Sequence, residues 1–260
     1  MGKIIMVASG KGGTGKTTVV SNIGTALSKK GKLTVLVDMD VGLRNLDIAL
    51  GLENNIVYDI CDVLENSCTI DDALVKDPEN DNLYILCSPQ TKYSIEFQSD
   101  NAREMCDSLR NRFDYCIIDA PAGVGESFLQ GLEASDEVII IATPEIAALR
   151  DADRTVDLVS ERKECSLILN RVRAELIEEG IMMNVDECID MIGIPILGIV
   201  PEDSMIERAA LRGKSIVYDS PAATAFSNIA RRIIGEEVPV MDFKIEKKGF
   251  FKRLGELFKG

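Results

Sequence analysis

Seven short apolar runs divide most of this chain into alternating segments. Most of them lack the alternation of apolar and polar residues that a half-exposed strand shows, so we predict strands that are buried on both faces of one sheet. The runs are residues 3–9, 33–38, 83–87, 115–120, 137–143, 165–170 and 194–200. Helical patterns occur at residues 16–30, 101–112, 126–134, 145–162, 184–192 and 221–234. This order predicts an α/β protein with a single doubly wound, mostly parallel sheet flanked by helices.

A glycine-rich loop joins the first predicted strand to the first predicted helix, and its sequence GKGGTGKT satisfies two fingerprints. Gly10, Gly12 and Gly15 match the dinucleotide pattern G-x-G-x-x-G. Gly10 and Gly15, together with Lys16 and Thr17, match the phosphate-loop pattern G-x-x-x-x-G-K-[ST]. The loop alone therefore leaves two kinds of nucleotide open.

The residues around the loop favour a triphosphate over a dinucleotide. Asp38 ends the second predicted strand and could bind the ribose of a dinucleotide, but Lys16 and Thr17 would then have no role. A triphosphate requires both, since the ammonium binds the β- and γ-phosphate oxygens and the hydroxyl binds Mg²⁺. Asp119 ends another predicted strand and brings a carboxylate close to the loop, where Mg²⁺ can be held through water. The predicted nucleotide-binding loop comprises Gly10, Lys11, Gly12, Gly13, Thr14, Gly15, Lys16, Thr17 and Thr18.

The segment VDMDVGLRNLD offers a candidate for orienting the attacking water. Asp38 and Asp40 lie at the same sheet edge as the loop, although an isolated pair of this kind is usually a solvated strand end. From Gly42 to Asp47 the sequence has neither strand nor helix character, as expected of a switch loop. The chain has no histidine, so Asp40 is the best candidate for this role. The stretch DAPAGVGES after Asp119 is predicted to sense the γ-phosphate.

Lys11 lies inside the loop, where phosphate binding does not require a second lysine. It could be a solvated charge. It could also be a second cation for the transition state, in the manner of an arginine finger, that reaches the nucleotide of a second subunit.

Several motifs together resemble one known family. KGGTGKT matches the deviant Walker A motif with its signature lysine, and VDMDVGLRNLD, DAPAG, PEDS and the tail KKGFFKRLGELFKG extend the match over essentially the whole chain. The chain thus resembles the ParA/MinD group of P-loop ATPases. The resemblance implies an ATP-dependent sandwich dimer in which Lys11 crosses to the partner's phosphates. It also implies that Lys16 binds the β- and γ-phosphates, and that Thr17, Asp40 and Asp119 surround Mg²⁺.

The same resemblance implies further binding residues and a cellular role. Adenine is expected near Asn170 and Arg171 and near the loop that contains Pro201 and Asp203. The implied role is a membrane-associated ATPase that takes part in placing the division site. Its implied partners are a second copy of itself, a division inhibitor that it recruits to the membrane, and an activator of its ATPase.

The charge of the chain is unevenly distributed. The net charge is −14, but residues 244–260 carry six basic and two acidic side chains, so the rest of the chain carries −18. The acidic body argues against nucleic acid as a partner. Seven cysteines without paired spacing are typical of reduced thiols in a cytosolic protein, and no C-x-x-C pair supports zinc or an iron–sulfur cluster.

The basic tail has the pattern of an amphipathic helix. Such a helix usually packs on its own domain, but this one is terminal, follows a polar linker and flanks its aromatic residues with lysines, which favours an anionic membrane surface. We predict one ATPase domain over residues 1–237, a linker over 238–246 and the membrane helix over 247–260. The expected location is cytoplasmic and peripheral on the inner face of the cell membrane. The predicted membrane contacts are Lys248, Phe250, Phe251, Lys252, Arg253, Leu254, Leu257 and Phe258.

One tail is expected to bind weakly and two tails on one dimer much more strongly, so that ATP would control attachment by controlling dimerisation. Two alternatives remain at this point. The chain could be a related ATPase of segregation or of flagellar number, or a nucleotide-gated scaffold with negligible turnover.

Overall fold

The computed structural model describes residues 1–40, 44–89, 99–121, 123–215 and 220–240. The strands are β1 Lys3–Ser9, β2 Thr34–Asp38, β3 Val75–Lys76, β4 Leu83–Leu86, β5 Tyr115–Asp119, β6 Glu137–Ala142, β7 Glu164–Val172 and β8 Ile196–Pro201. The helices are α1 Lys16–Lys29, α2 Leu46–Leu50, α3 Ile60–Leu64, α4 Ile70–Ala73, α5 Ser99–Arg112, α6 Glu126–Ala134, α7 Ile146–Ser160, α8 Ala174–Glu178, α9 Val185–Ile192, α10 Ser204–Ala210 and α11 Pro221–Ile233.

The eight strands form one sheet in the order β3-β4-β2-β5-β1-β6-β7-β8. Every pairing is parallel except that of β3 with β4. The predicted fold class, a single mostly parallel sheet flanked by helices, is confirmed. Adjacent strands β1 and β5 continue in opposite directions across the sheet, because β1 leads to β2 and β5 leads to β6. A crevice at such a switch point, beyond the carboxyl ends of the strands, is where open α/β sheets bind ligands.

Both faces of the sheet are covered, which explains the continuous apolar runs in the sequence. In β1, Ile4 and Met6 belong to the core on one face, and Ile5 and Val7 belong to the core on the other. All four side chains are fully buried. Helices α1 and α11 pack on the second face, and α5, α7 and α9 pack on the first. A strand buried on both sides has no reason to alternate apolar and polar residues.

Several short elements were not predicted from the sequence. The stretch up to Asp47 was expected to have no helical character, but α2 begins at Leu46, so this expectation was wrong. Helices α3 and α4 have four or five residues and are held by capping boxes that begin at Asp59 and Thr69. Elements of one turn leave no periodic apolar pattern, which is why the sequence did not indicate them.

Gly42 and the terminal helix predicted at 247–260 lie outside the described residues. Residues 238–240, the start of the predicted linker, contact the domain, since Arg232 donates from Nε to the Val238 carbonyl at 2.8 Å. Val240 packs against the core. Within the described ranges, no helix is both long enough and apolar enough to cross a membrane.

Candidate functional site

The glycine-rich loop lies between β1 and α1, at the carboxyl edge of the sheet. At Gly10, a Cβ atom would collide with the backbone of Asp151 in α7. Gly15 has φ 86°, and a Cβ there would lie 2.5 Å from Nδ2 of Asn170. These two positions therefore require glycine for the fold itself. By contrast, a Cβ on Gly12 would have no atom of the described chain within 4 Å.

The amino end of α1 is open to an anion. Gly15 is its N-cap and makes no side-chain capping hydrogen bond. The first backbone N–H groups of a helix have no partner inside the helix, and with the helix dipole they favour a phosphate. Next to them, the hydroxyl of Thr14 is buried without a hydrogen-bond partner among the described residues. The loop thus keeps several donors available for a phosphate group.

Lys16 and Thr17 converge on Asp119, which the sequence had only indicated to lie near the loop. Lys16 forms a salt bridge with Oδ1 of Asp119, and Thr17 donates from its hydroxyl to Oδ2 at 2.7 Å. The side chains of Lys16 and Asp119 are only 10% and 2% exposed. The three residues are distant in sequence, and the parallel pairing of β1 with β5 brings them together.

Asp38 is a buried carboxyl group of the site, and its pKa is raised. It ends β2 directly opposite Asp119 in the β2–β5 pairing. Burial, and then the neighbouring charge of Asp119, raise the pKa of Asp38 to about 7. The backbone N–H of Asp40 donates to Oδ1 of Asp38 at 2.9 Å. No role for Asp38 in triphosphate chemistry was predicted, although two buried strands that both end in Asp were a signal for this pair.

Asp40 lies at the same edge, two residues after Asp38, which is paired with Asp119 on the adjacent strand. The preceding residue, Met39, donates its N–H to the Asp119 carbonyl at 3.0 Å. Beyond it, Arg44 donates to Asp47 of α2 at 2.5 Å, and Asp47 is 1% exposed. Arg44 and Asp47 thus form a buried ion pair at the start of α2 that the sequence did not indicate.

Lys11 pairs with a different carboxylate from the one that Lys16 contacts. Its Nζ lies 3.6 Å from Oε2 of Glu145, the N-cap residue of α7, and the Lys11 side chain is 36% exposed. The partner Glu145 was not predicted. The proposed role of Lys11 in a second subunit stays a prediction.

The residues predicted to bind adenine line one cavity of about 510 Å³ beside the loop. Asn170, Arg171, Pro201 and Asp203 surround it, and Thr18 of α1 connects it to the phosphate site. Asn170 donates from Nδ2 to the Thr14 carbonyl at 2.8 Å. Arg171 has a left-handed φ of 58°, where the register between β7 and β8 shifts. The cavity lies within the size range of small-molecule sites.

The oxygen atoms near Thr17 suit Mg²⁺ rather than a softer metal. The site offers the Thr17 hydroxyl and the carboxylates of Asp38, Asp40 and Asp119, and such hard oxygen ligands are those that Mg²⁺ prefers. The described ranges contain no group of three His, Cys, Asp or Glu residues able to hold a metal ion by themselves. Mg²⁺ usually takes one or two protein ligands and completes its shell with phosphates and water.

Comparisons with known proteins converge on one group. The AAA_31 family model, described as an AAA domain, matches residues 2–197. The septum site-determining protein MinD of Bacillus subtilis is 41% identical, over 99% of this chain and 98% of that protein. The MinC:MinD cell division protein complex of Aquifex aeolicus contains a chain that is 39% identical, with a TM-score of 0.84 over 92% of this chain and 99% of that one. MinD of Pyrococcus horikoshii in complex with Mg-ADP is 29% identical, with a TM-score of 0.80 over 90% of this chain and 96% of that one.

Proposed function

Because this chain belongs to the AAA_31 family and, within it, to the MinD septum site-determining proteins, we propose that it is a Mg²⁺-dependent ATPase of division-site placement. One observation carries the ATPase proposal: Lys16 and Thr17 meet the buried carboxylate of Asp119 beside a nucleotide-sized cavity. The Pyrococcus horikoshii relative in complex with Mg-ADP supports the choice of ligand.

In the proposed mechanism the loop and α1 bind the phosphates of ATP. Lys16 turns from Asp119 to the β- and γ-phosphate oxygens, and the N–H groups at the start of α1 donate to the same oxygens. When bound, Mg²⁺ neutralises charge on the β- and γ-phosphates. Thr17 would be its direct ligand, and Asp119 would hold it through water. The base lies in the cavity between Asn170 and Pro201.

Two residues of the proposed mechanism act on the γ-phosphate. Asp40 orients the attacking water, since the chain has no histidine to do so. Lys11 leaves Glu145 and crosses to the phosphates of a second copy of the chain. Its exposure, and the free space at Gly12, support the close approach of another loop.

Membrane attachment in this proposal follows from dimerisation. The basic tail, with Phe251 near its centre, binds the anionic inner surface of the cell membrane, and two tails on one dimer bind with much greater avidity than one. The dimer then recruits a MinC-like inhibitor, a proposal supported by the MinC:MinD complex of Aquifex aeolicus. An activator, MinE-like or of another kind, stimulates hydrolysis.

Sedimentation with anionic vesicles tests the proposal. Wild-type protein should pellet far better with ATP than with ADP, and the Asp40→Ala variant should stay on the vesicles because it hydrolyses ATP slowly. The control Phe251→Glu should lose vesicle binding while it keeps ATP-driven dimerisation. Equal pelleting in ATP and in ADP would contradict the proposed control of membrane attachment by ATP. Undetectable turnover with any lipid or partner would instead favour a scaffold.

A further inference from the structure

A second cavity, of about 520 Å³, lies away from the phosphate loop. It is enclosed by the carboxyl-terminal half of α1, by α10 with the turn that follows it, and by the turn between β3 and β4. None of its lining residues belongs to the proposed nucleotide site. Its basic lining residues are Lys29, Arg208, Arg212 and Lys214.

The charge of this basic cavity is opposite to that of the molecule. Four cationic side chains line it against one carboxylate, Glu79, whereas the whole chain carries −14. Glu79 is engaged by Lys214, whose Nζ lies 2.7 Å from Oε1. Arg208 and Arg212 are exposed, and neither forms an ion pair within the described ranges of the chain. Within the described ranges, Arg208 and Arg212 therefore give the cavity positive charge that no ion pair neutralises.

The inner wall of the basic cavity adds neutral polar and apolar groups. Thr25 is buried in α1, and its hydroxyl oxygen lies 2.6 Å from that of Ser215. Met205 and Ala209 of α10 contribute apolar surface between the charged residues. Such a lining suits an anion that carries a small organic group better than a bare ion.

We propose that the basic cavity binds a phosphate ester, at a site separate from the nucleotide. Arg208 of α10 and Arg212 in the turn that follows it offer two planar sets of donors that match phosphate oxygens. The ester could reach the protein as a free metabolite or as the headgroup of an anionic lipid, since both present the same phosphate chemistry.

Helix α10 separates the basic cavity from the candidate nucleotide cavity. Ile206 and Glu207 face the nucleotide cavity, and Met205 and Arg208 face the basic cavity. The turn after α10 lies close to the end of α2, because a Cβ on Gly213 would lie 2.5 Å from the Cα of Gly51. The two cavities therefore share α10 as a common wall but have no lining residue in common.

Calorimetric titration with glycerol 3-phosphate tests the binding. The full chain is first saturated with Mg-ADP, so that the phosphate loop does not compete for the probe. The double variant Arg208→Glu/Arg212→Glu should weaken binding by about tenfold or more, because two charge-assisted contacts become repulsive. The matched control Arg154→Glu reverses an exposed charge on α7, on the other face of the sheet, and should leave the affinity unchanged. If the glutamate variant fails to fold, Arg208→Gln/Arg212→Gln replaces it.

Vesicles identify the source of the phosphate. Pelleting of each variant is compared on phosphatidylglycerol and on phosphatidylcholine. A double variant that loses both glycerol 3-phosphate and phosphatidylglycerol binding, relative to Arg154→Glu, indicates a lipid headgroup. Loss of the free ester alone indicates a soluble metabolite. The proposal is overturned if the double variant matches the Arg154→Glu control in both assays.

Discussion

The two ends of the candidate nucleotide site are built differently. At the phosphate end, Lys16 and Asp119 are 10% and 2% exposed and neutralise each other inside the protein. At the base end, the ion pair between Arg173 and Glu202 is 45% and 43% exposed. Removing one partner of a buried ion pair leaves an uncompensated buried charge and is costly, whereas an exposed pair contributes little to stability. The phosphate end should therefore tolerate few substitutions, and the base end many.

The largest effect is expected for Lys16→Ala. The substitution leaves the carboxylate of Asp119 buried without its cation, so the free energy of unfolding should fall by about 3–5 kcal/mol. ATP binding, measured by calorimetry, should be lost. The other lysine of the loop is the control: Lys11→Ala removes only a half-exposed pair and should cost at most ~1 kcal/mol in urea unfolding. Equal losses in the free energy of unfolding for the two variants would contradict the expected difference between buried and exposed ion pairs.

Asp38→Asn tests the buried phosphate end through the pH dependence of the free energy of unfolding. The pKa of Asp38 is raised from 3.8 to about 7, so the folded chain holds an extra proton between these values and its stability falls as pH rises through this window. The asparagine variant should lack this loss. At pH 8, without nucleotide or metal, it should be more stable than the wild type by a few kcal/mol.

The control for this prediction is Asp81→Asn, an exposed carboxylate whose pKa is lowered by Lys76. Unfolding measured from pH 4 to pH 8 should show the same slope for Asp81→Asn as for the wild type. An unchanged slope in Asp38→Asn would show that another group titrates in the window.

Gly15→Ala tests the contact between the phosphate end and the base end of the candidate nucleotide site. The new Cβ would meet Asn170 at 2.5 Å and would force a left-handed residue, so stability should fall by ~1–3 kcal/mol and nucleotide affinity should fall with it. Gly12→Ala meets no neighbour in the described chain and should leave unfolding unchanged. If Gly12→Ala still prevents ATP-driven dimerisation, the space at Gly12 is needed for the nucleotide or for a second copy of the chain.

The smallest effect is expected at the base end. Arg173→Ala breaks the exposed pair with Glu202, and both stability and ATP affinity should change by less than about 1 kcal/mol. Urea unfolding and calorimetry measure the two quantities. A loss as large as that of Lys16→Ala would mean that the base end is as tightly built as the phosphate end.

Local sequence patterns predicted seven of the eight strands that the described residues form, and the long helices. Asn170 and Pro201 line the cavity beside the loop, and their role in binding adenine stays a prediction. Other features depend on contacts between distant segments. The pKa of Asp38 arises from burial beside Asp119, the pairing of Lys11 with Glu145 joins the loop to α7, and the basic cavity gathers residues from three parts of the chain. No periodicity or spacing encodes such contacts, so they needed the folded structure.

The salt bridge between Lys16 and Asp119 has a consequence for which anions the loop accepts. An anion that draws Lys16 away leaves Asp119 buried without a counter-ion, and this cost is several kcal/mol. A free phosphate cannot offset it. A nucleotide that arrives with Mg²⁺ would replace both partners at once, because its phosphates would bind the ammonium and Asp119 would hold the metal through water. We therefore expect the loop to discriminate against metal-free anions, with Asp119 as the residue that enforces the choice.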